Sequence, residues 1–436
     1  MLHSPQQSRP CLTAKRRRHS ALGLTVMACP LLASLLTLTP AQAQDGGGGV
    51  SLTFGLSQRL EVSNNTNLAV VSSGTSSGQT FRATTGLSFG AVSETRDSRL
   101  AFQTSASLRA GSGNSDSGFD LTAPQASLSY SRTAANASFN LGASLRQDEI
   151  AGLDSADVGT DVTDLTGTGT RRSYSVSAGL TLAEGAPLSF GLSAAIGGTS
   201  YIDASDPALA DTQRRSVGIT AQLRLSETIS ANIGLSYALF ETDKPGSVVR
   251  KTTGLSAGVA IARPNGTLNL SLGADQTADG TRTSLTLGRD YVLPRGSLSG
   301  SIGATRGVNG STRVSANLAY HEDLPNGALD ASLKRSLGAG SDDSERLITA
   351  LSLGYSRELT PRSSLRLDAN YAENSNLQAG LTTSTARLGA SYNYALTEDW
   401  GLNMGYSHRL RDQDGVGRAD SDTLFVGISR SFEFKP

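Results

Sequence analysis

From Leu52 to Phe434 this chain alternates apolar and polar residues with a period of two almost without interruption. In residues 386–396, Ala386, Leu388, Ala390, Tyr392, Tyr394 and Leu396 fall on one parity, and Arg387, Gly389, Ser391, Asn393 and Ala395 on the other. Trp400, Leu402, Met404, Tyr406 and Leu410 repeat it against Gly401, Asn403, Gly405, Ser407 and Arg409. A β-strand sends successive side chains to opposite faces, so each such segment is a strand with one apolar and one polar face. The segments run about 9–13 residues. Ordinary strands are nearer about 5–6, whereas a tilted strand needs about 9–11 to cross a bilayer. The pattern predicts about 20 strands, within a range of roughly 16–22.

The links between segments alternate in length. Ser63–Thr80, Gly111–Ala123, Ala151–Arg172, Asp203–Arg215, Asp243–Lys251 and Arg411–Asp422 are long; Glu94–Asp97, Ala134–Asn136, Glu184–Ala186, Ser226–Thr228 and Thr397–Asp399 are tight. Four more tight links share a signal: Pro264-Asn265-Gly266, Pro294-Arg295-Gly296, Pro325-Asn326-Gly327 and Pro361-Arg362-Ser363. Proline and glycine there set turn dihedrals and end strand pairing. An open sheet edge in hydrocarbon would strand unpaired backbone groups, so the sheet must close. The expected fold is all-β: a closed antiparallel transmembrane β-barrel in an up-and-down meander, with no plug domain.

Composition now makes sense. Glycine is 48 of 436 residues and apolar residues only 37%, below the usual ~45–50%. A wall with one face in lipid needs an apolar belt rather than a large core, and Gly, Ser, Asn and Thr suit the other face. At the start, Lys15, Arg16, Arg17 and Arg18 precede an apolar stretch, Leu22–Leu38, and the small-x-small site Ala41-Gln42-Ala43. This predicts a signal peptide over 1–43, a glycine-rich lead over 44–49 and the barrel over 50–436. Segment 1–43 holds Arg9 and those four basic residues, no acid, and both cysteines, Cys11 and Cys29. The remaining chain is therefore mildly acidic and has no thiol chemistry. It keeps two histidines, His321 and His408, predicted at opposite strand ends and on opposite faces. No enzymatic activity and no cofactor or metal is expected. The acids Asp154, Asp157 and Asp161 do not follow the spacing of an EF-hand loop.

Parity separates the faces. On the polar parity, mid-strand, stand Arg82, Arg109, Arg146, Arg224, Arg282, Arg313, Lys334, Arg366, Arg387 and Arg409. The acids there are fewer: Asp275, Asp290, Asp330 and Asp368. Acids gather in long links instead, with Asp154, Asp157, Asp161 and Asp164 in one of them. A cationic lumen selects anions; the competing role for these arginines is to brace neighbouring strands through carboxylates. Aromatics on the apolar parity, such as Phe54, Tyr130, Tyr392 and Trp400, are expected at the membrane interfaces.

The chain resembles Gram-negative outer-membrane β-barrel proteins of the porin type over nearly all of residues 50–436. The segment Val426-Gly427-Ile428-Ser429-Arg430-Ser431-Phe432 is similar to the terminal-strand signal of that group. It departs from it at Arg430 and in continuing to Phe434, so Gly427, Phe432 and Phe434 are the candidate assembly residues. The resemblance implies location in the outer membrane after export. It implies outer-membrane lipid and the assembly machinery as partners, allows a homo-oligomer, and offers no nucleic-acid role. It also implies that the loop holding Asp154–Asp164, the third outer one, could narrow the pore. The expected function is a passive diffusion channel for small hydrophilic solutes with a modest anion preference; the alternative is a non-conducting structural, adhesive or export-accessory barrel.

Overall fold

The computed structural model describes residues 49–435 except 67, 69, 71–77, 113–117, 151–167, 206–208, 245, 246, 248, 340–344 and 378. The signal-peptide and lead expectations, Gly49 aside, fall outside these residues, as do Asp154, Asp157, Asp161 and Asp164.

Twenty strands follow one another. The first five are β1 Gly49–Ser63, β2 Thr80–Glu94, β3 Ser98–Ser112, β4 Gly118–Thr133 and β5 Ala137–Glu149. Then come β6 Thr170–Leu182, β7 Leu188–Ile202, β8 Thr212–Arg224, β9 Ile229–Thr242 and β10 Arg250–Arg263. The second half has β11 Gly266–Thr277, β12 Gly280–Leu293, β13 Gly296–Arg306, β14 Thr312–Leu324 and β15 Gly327–Ala339. The last five are β16 Glu345–Thr360, β17 Ser363–Asn376, β18 Leu381–Ala395, β19 Trp400–Gln413 and β20 Gly417–Phe434. Consecutive strands pair antiparallel, as in β1 with β2 and β19 with β20. β20 returns to β1 from Leu52↔Phe434 to Ser63↔Thr423, which closes the sheet.

Register keeps the two faces separate at the seams. Phe54 lies opposite Phe89, Leu270 opposite Leu287, Leu351 opposite Tyr371 and Val62 opposite Leu424. In β4 an extra residue re-phases the strand. Ala123 has φ 48°, the pairing with β3 shifts between Ser105 and Ser107, and Leu121 and Leu128 both stay on the apolar face. Large apolar side chains remain exposed on that face, Leu287 at 49% and Ile302 at 61%. Among the described residues only Ile150, Ala372 and Ala419 form a buried apolar set. The apolar belt is therefore the outer wall.

The polar face is the concave one. Side-chain contacts that skip strands are made there: Arg109 on β3 reaches Glu149 at the end of β5, and Arg282 on β12 reaches Glu345 at the start of β16. One such contact is also made on the apolar face, where Gln213 on β8 donates to the Tyr174 hydroxyl on β6 at 2.7 Å across Gly198 of β7.

The connections alternate between two rims, most clearly in the first half, where 150–169 and 203–211 contrast with 134–136 and 225–228. The strands are longer than the sequence pattern suggests, from 11 residues in β13 to 18 in β20. The last long link is corrected accordingly. Arg411 to Asp422 is mostly ladder, with Asp412 opposite Arg418 and Leu410 opposite Asp420, leaving only 414–416 as the turn. There the strands extend with charged residues past the apolar belt, so apolar alternation no longer marks them.

The shared tight-turn signal has a steric cause. A Cβ on Gly266, Gly296 or Gly327 would overlap the backbone carbonyl of Asp290, His321 or Ser356 respectively. The fourth turn has Ser363 at that place, and there the β16–β17 register slips by one residue between Glu358 and Thr360. Thr360 and Ser363 share a 2.7 Å hydroxyl hydrogen bond in the altered turn.

Two outcomes follow for stability. Gly296→Ala should lower the unfolding free energy in urea by about 1–3 kcal/mol, whereas Gly338→Ala, where a Cβ meets nothing within 4 Å, should change it little. Leu287→Arg on the lipid face should cost about 2–4 kcal/mol in vesicles, and Thr286→Arg on the inner face far less; equal costs would contradict the assignment of faces.

Candidate functional site on the inner wall

The inner wall carries the cations that parity selects, and the structure sorts them. Arg109 donates to Glu149 at 2.6 Å with its side chain 13% exposed. Arg146 donates through Nε to Asp148 Oδ1 at 2.7 Å. Arg282 lies 3.9 Å from Glu345. Arg224 donates to the carbonyl of Gly185 at 3.4 Å, and Arg409 to that of Thr66 at 3.0 Å. Arg82 and Arg387 also have partners. Arg313, Lys334 and Arg366 are exposed on the wall, with no ion pair or hydrogen bond among the described residues. Bracing and free charge therefore coexist. Arg366, which sequence proximity places beside Asp368, does not pair with it.

The acids on this face have work of their own. Asp290 accepts from Asn269 at 2.7 Å. Asp330 holds His321 Nδ1 at 2.7 Å, while Asp323 lies 3.3 Å from its Nε2. His408 sits on the apolar parity near the opposite rim, 2.9 Å from Asp422, which also accepts the Tyr406 hydroxyl. The two histidines occupy opposite ends and opposite faces of the wall. Among the described residues no group of His, Cys, Asp and Glu is arranged to hold a metal ion.

In β20, Phe432 pairs with Phe54 and Phe434 with Leu52 on the outer face, while Gly427 lies opposite Arg59 on the inner face. The apolar-parity Arg430 has a local reason. Its guanidinium lies over the Phe432 ring at 4.3 Å and the Trp400 ring at 5.2 Å, and 3.8 Å from Asp399. A cation over aromatic rings is favoured by the ring quadrupole.

Several inner-wall residues are missed by the sequence reading. Arg59, 3.0 Å from Glu61, covers the Phe425 ring at 3.7 Å, and a Cβ on Gly405 would press into that ring. Phe425 stands on the polar parity, so this break in alternation is the signal that finds it. Arg214, Phe240 and Arg250 form one row across β8, β9 and β10; register, which sequence does not provide, is needed to see it. Buried polar side chains gather at the long-link rim, including Ser63, Thr80, Asn374, Ser421 and Thr423.

No family model and no curated protein matches this chain. Solved structures do resemble it. Two are variants of a ferric enterobactin receptor from Pseudomonas aeruginosa. One is 11% identical, covering 89% of this chain and 81% of that one at a TM-score of 0.50. The other, in complex with enterobactin, is 12% identical, covering 89% and 82% at 0.50. The siderophore receptor PirA from Pseudomonas aeruginosa is 11% identical, covering 89% and 82% at 0.47. At such identities the likeness concerns the fold alone: this chain has the fold of a large outer-membrane β-barrel.

The neighbours correct the expected fold class. The sequence reading describes a barrel with no plug domain and of porin type, yet the solved walls it resembles are those of receptors. The supported description is the coarser one, a closed 20-stranded antiparallel all-β outer-membrane barrel. The physical reason is that period-two alternation reports a wall, and a wall has the same alternation whatever its lumen contains.

The sorting of the arginines is measurable. Arg109→Gln removes a charge-assisted bond spanning three strands and should cost about 1–3 kcal/mol in urea unfolding. Arg146→Gln removes an exposed contact within one strand and should stay within about 0.5 kcal/mol.

Proposed function

We propose that the chain is a passive diffusion channel for small hydrophilic solutes with a modest anion preference, set in the outer membrane with its long links outward. The observation that carries this is that Arg313, Lys334 and Arg366, exposed on the concave polar face among Ser, Thr, Gly and Asn, have no ion pair or hydrogen bond among the described residues. A charge already neutralised by a neighbour contributes little field along a pore; an unpartnered one attracts counter-ions into it. The paired set, led by Arg109 with Glu149, holds the wall instead. The proposed role is non-enzymatic: His321 and His408 stand at opposite rims and on opposite faces, so they do not share a site. Export by a signal peptide over 1–43, outer-membrane lipid and assembly through Phe432 or Phe434 belong to the same reading, and a homo-oligomer is compatible with it.

The buried polar rim favours a second reading, a non-conducting structural, adhesive or export-accessory barrel. Ser421 is fully buried, and Asn65 crosses to the carbonyl of Asp420 at 2.9 Å, so chain segments crowd the long-link end.

Planar bilayers under a KCl gradient separate the two. Stepwise conductance with an anion-selective reversal potential is expected. The combined Arg313→Gln, Lys334→Gln and Arg366→Gln variant should shift that potential toward cation selectivity, and Arg146→Gln should leave it nearly unchanged. A sealed membrane supports the second reading, and a cation-selective wild-type channel contradicts the anion preference.

A further inference from the structure

Below the long-link rim, the inner wall from β7 to β12, together with Val308, Gly338 on β15 and Glu345 on β16, encloses a cavity of about 530 Å³, within the usual range for small-ligand sites of ~300–1,000 Å³. Arg214, Phe240, Arg250, Asp275, Arg282 and Glu345 supply its chemistry. Phe240 lies directly opposite Arg214 on one side and Arg250 on the other. Directly opposed residues place their Cβ atoms about 4.5–5.5 Å apart, so two guanidinium-bearing side chains flank one half-buried ring. Asp275 lies opposite Arg282, and Arg282 is 3.9 Å from Glu345.

Arg282 and Glu345 brace one side of this lining: the Glu345 side chain is 4% exposed, and its Oε1 accepts the Val308 N–H at 3.2 Å. Arg214 is exposed on this wall and has no ion pair among the described residues.

We infer that this cavity binds an aromatic carboxylate. The exposed Arg214 guanidinium fork matches a carboxylate, Arg250 adds positive charge on the other side of the ring, and the Phe240 ring offers a flat face for stacking. The inference rests on the channel reading only for how such a solute arrives.

The test is calorimetric titration of 4-hydroxybenzoate into the purified, folded barrel in detergent, with heat-modifiable gel mobility as the check of folding. Saturable binding is expected. Arg214→Gln and Phe240→Ala should each weaken it about tenfold, the loss of one charge-assisted bond or one stacked ring. Phe240→Tyr, which keeps the ring, should retain it. Cyclohexanecarboxylate, lacking the aromatic ring, should bind several-fold more weakly. No saturable binding by the folded barrel overturns the inference. So does inorganic phosphate binding as tightly as 4-hydroxybenzoate and unaffected by Phe240→Ala. Conductance measured separately distinguishes the two claims. A conducting barrel that does not bind overturns this site alone, and one that binds while the bilayer stays sealed overturns the channel and supports the site.

Discussion

A polypeptide that crosses hydrocarbon in extended form must pair each backbone N–H and C=O with another strand, because an unpaired group there costs several kcal/mol. The wall described here depends on that requirement being met at one seam. Nineteen pairings between successive strands leave one edge on β1 and one on β20, and the ladder from Leu52↔Phe434 to Ser63↔Thr423 removes both. Once the sheet is closed it has an inside and an outside, and the alternation of side chains acquires its meaning. Leucine and valine can remain exposed because the outside is lipid, and serine, glycine and arginine can face inward without needing a buried core.

Closure also concentrates chemistry on the concave side. Charged residues on non-neighbouring strands meet there, as Arg109 meets Glu149 and Arg282 meets Glu345. Charges on this face have two fates. Those with a carboxylate in reach stiffen the wall, and those with none among the described residues, such as Arg214 and Arg313, set the electrostatic character of the space they face. The outer face uses its few charges differently: Arg430 spreads over Trp400 and Phe432, combining an apolar body with a charged tip.

Much of the wall was legible in the sequence because alternation is local. The alternating run from Trp400 opens β19 at its first residue, and the run 386–396 ends one residue past β18. The two faces follow from the same signal. Other features were not legible because they depend on register. The Arg214–Phe240–Arg250 row joins three strands whose relative offset no single segment reveals. Partnership was illegible too: Arg109 and Arg313 look equivalent in sequence, yet one is tied to Glu149 and the other is not. The fold class was overreached where it went beyond the wall, since alternation carries no information about what a lumen contains. The turn glycines show both sides. Pro-x-Gly was readable as a turn, but why glycine stands in it required the opposing carbonyls of the following strand.

The seam between β1 and β20 differs from the other nineteen in how far apart its partners lie along the chain. Ser51 and Glu433, which share a hydrogen bond across it, are 382 positions apart, whereas hairpin partners elsewhere can meet after a turn of a few residues. Hairpins can thus form early and independently, while the seam must wait for the longest loop in the molecule to close. Until then each of its two edges is a template for pairing with another chain. The assembly of this barrel therefore has a vulnerable interval whose length is governed by one strand pair, and a chain that closes slowly is exposed to aggregation even when its finished wall is fully stable.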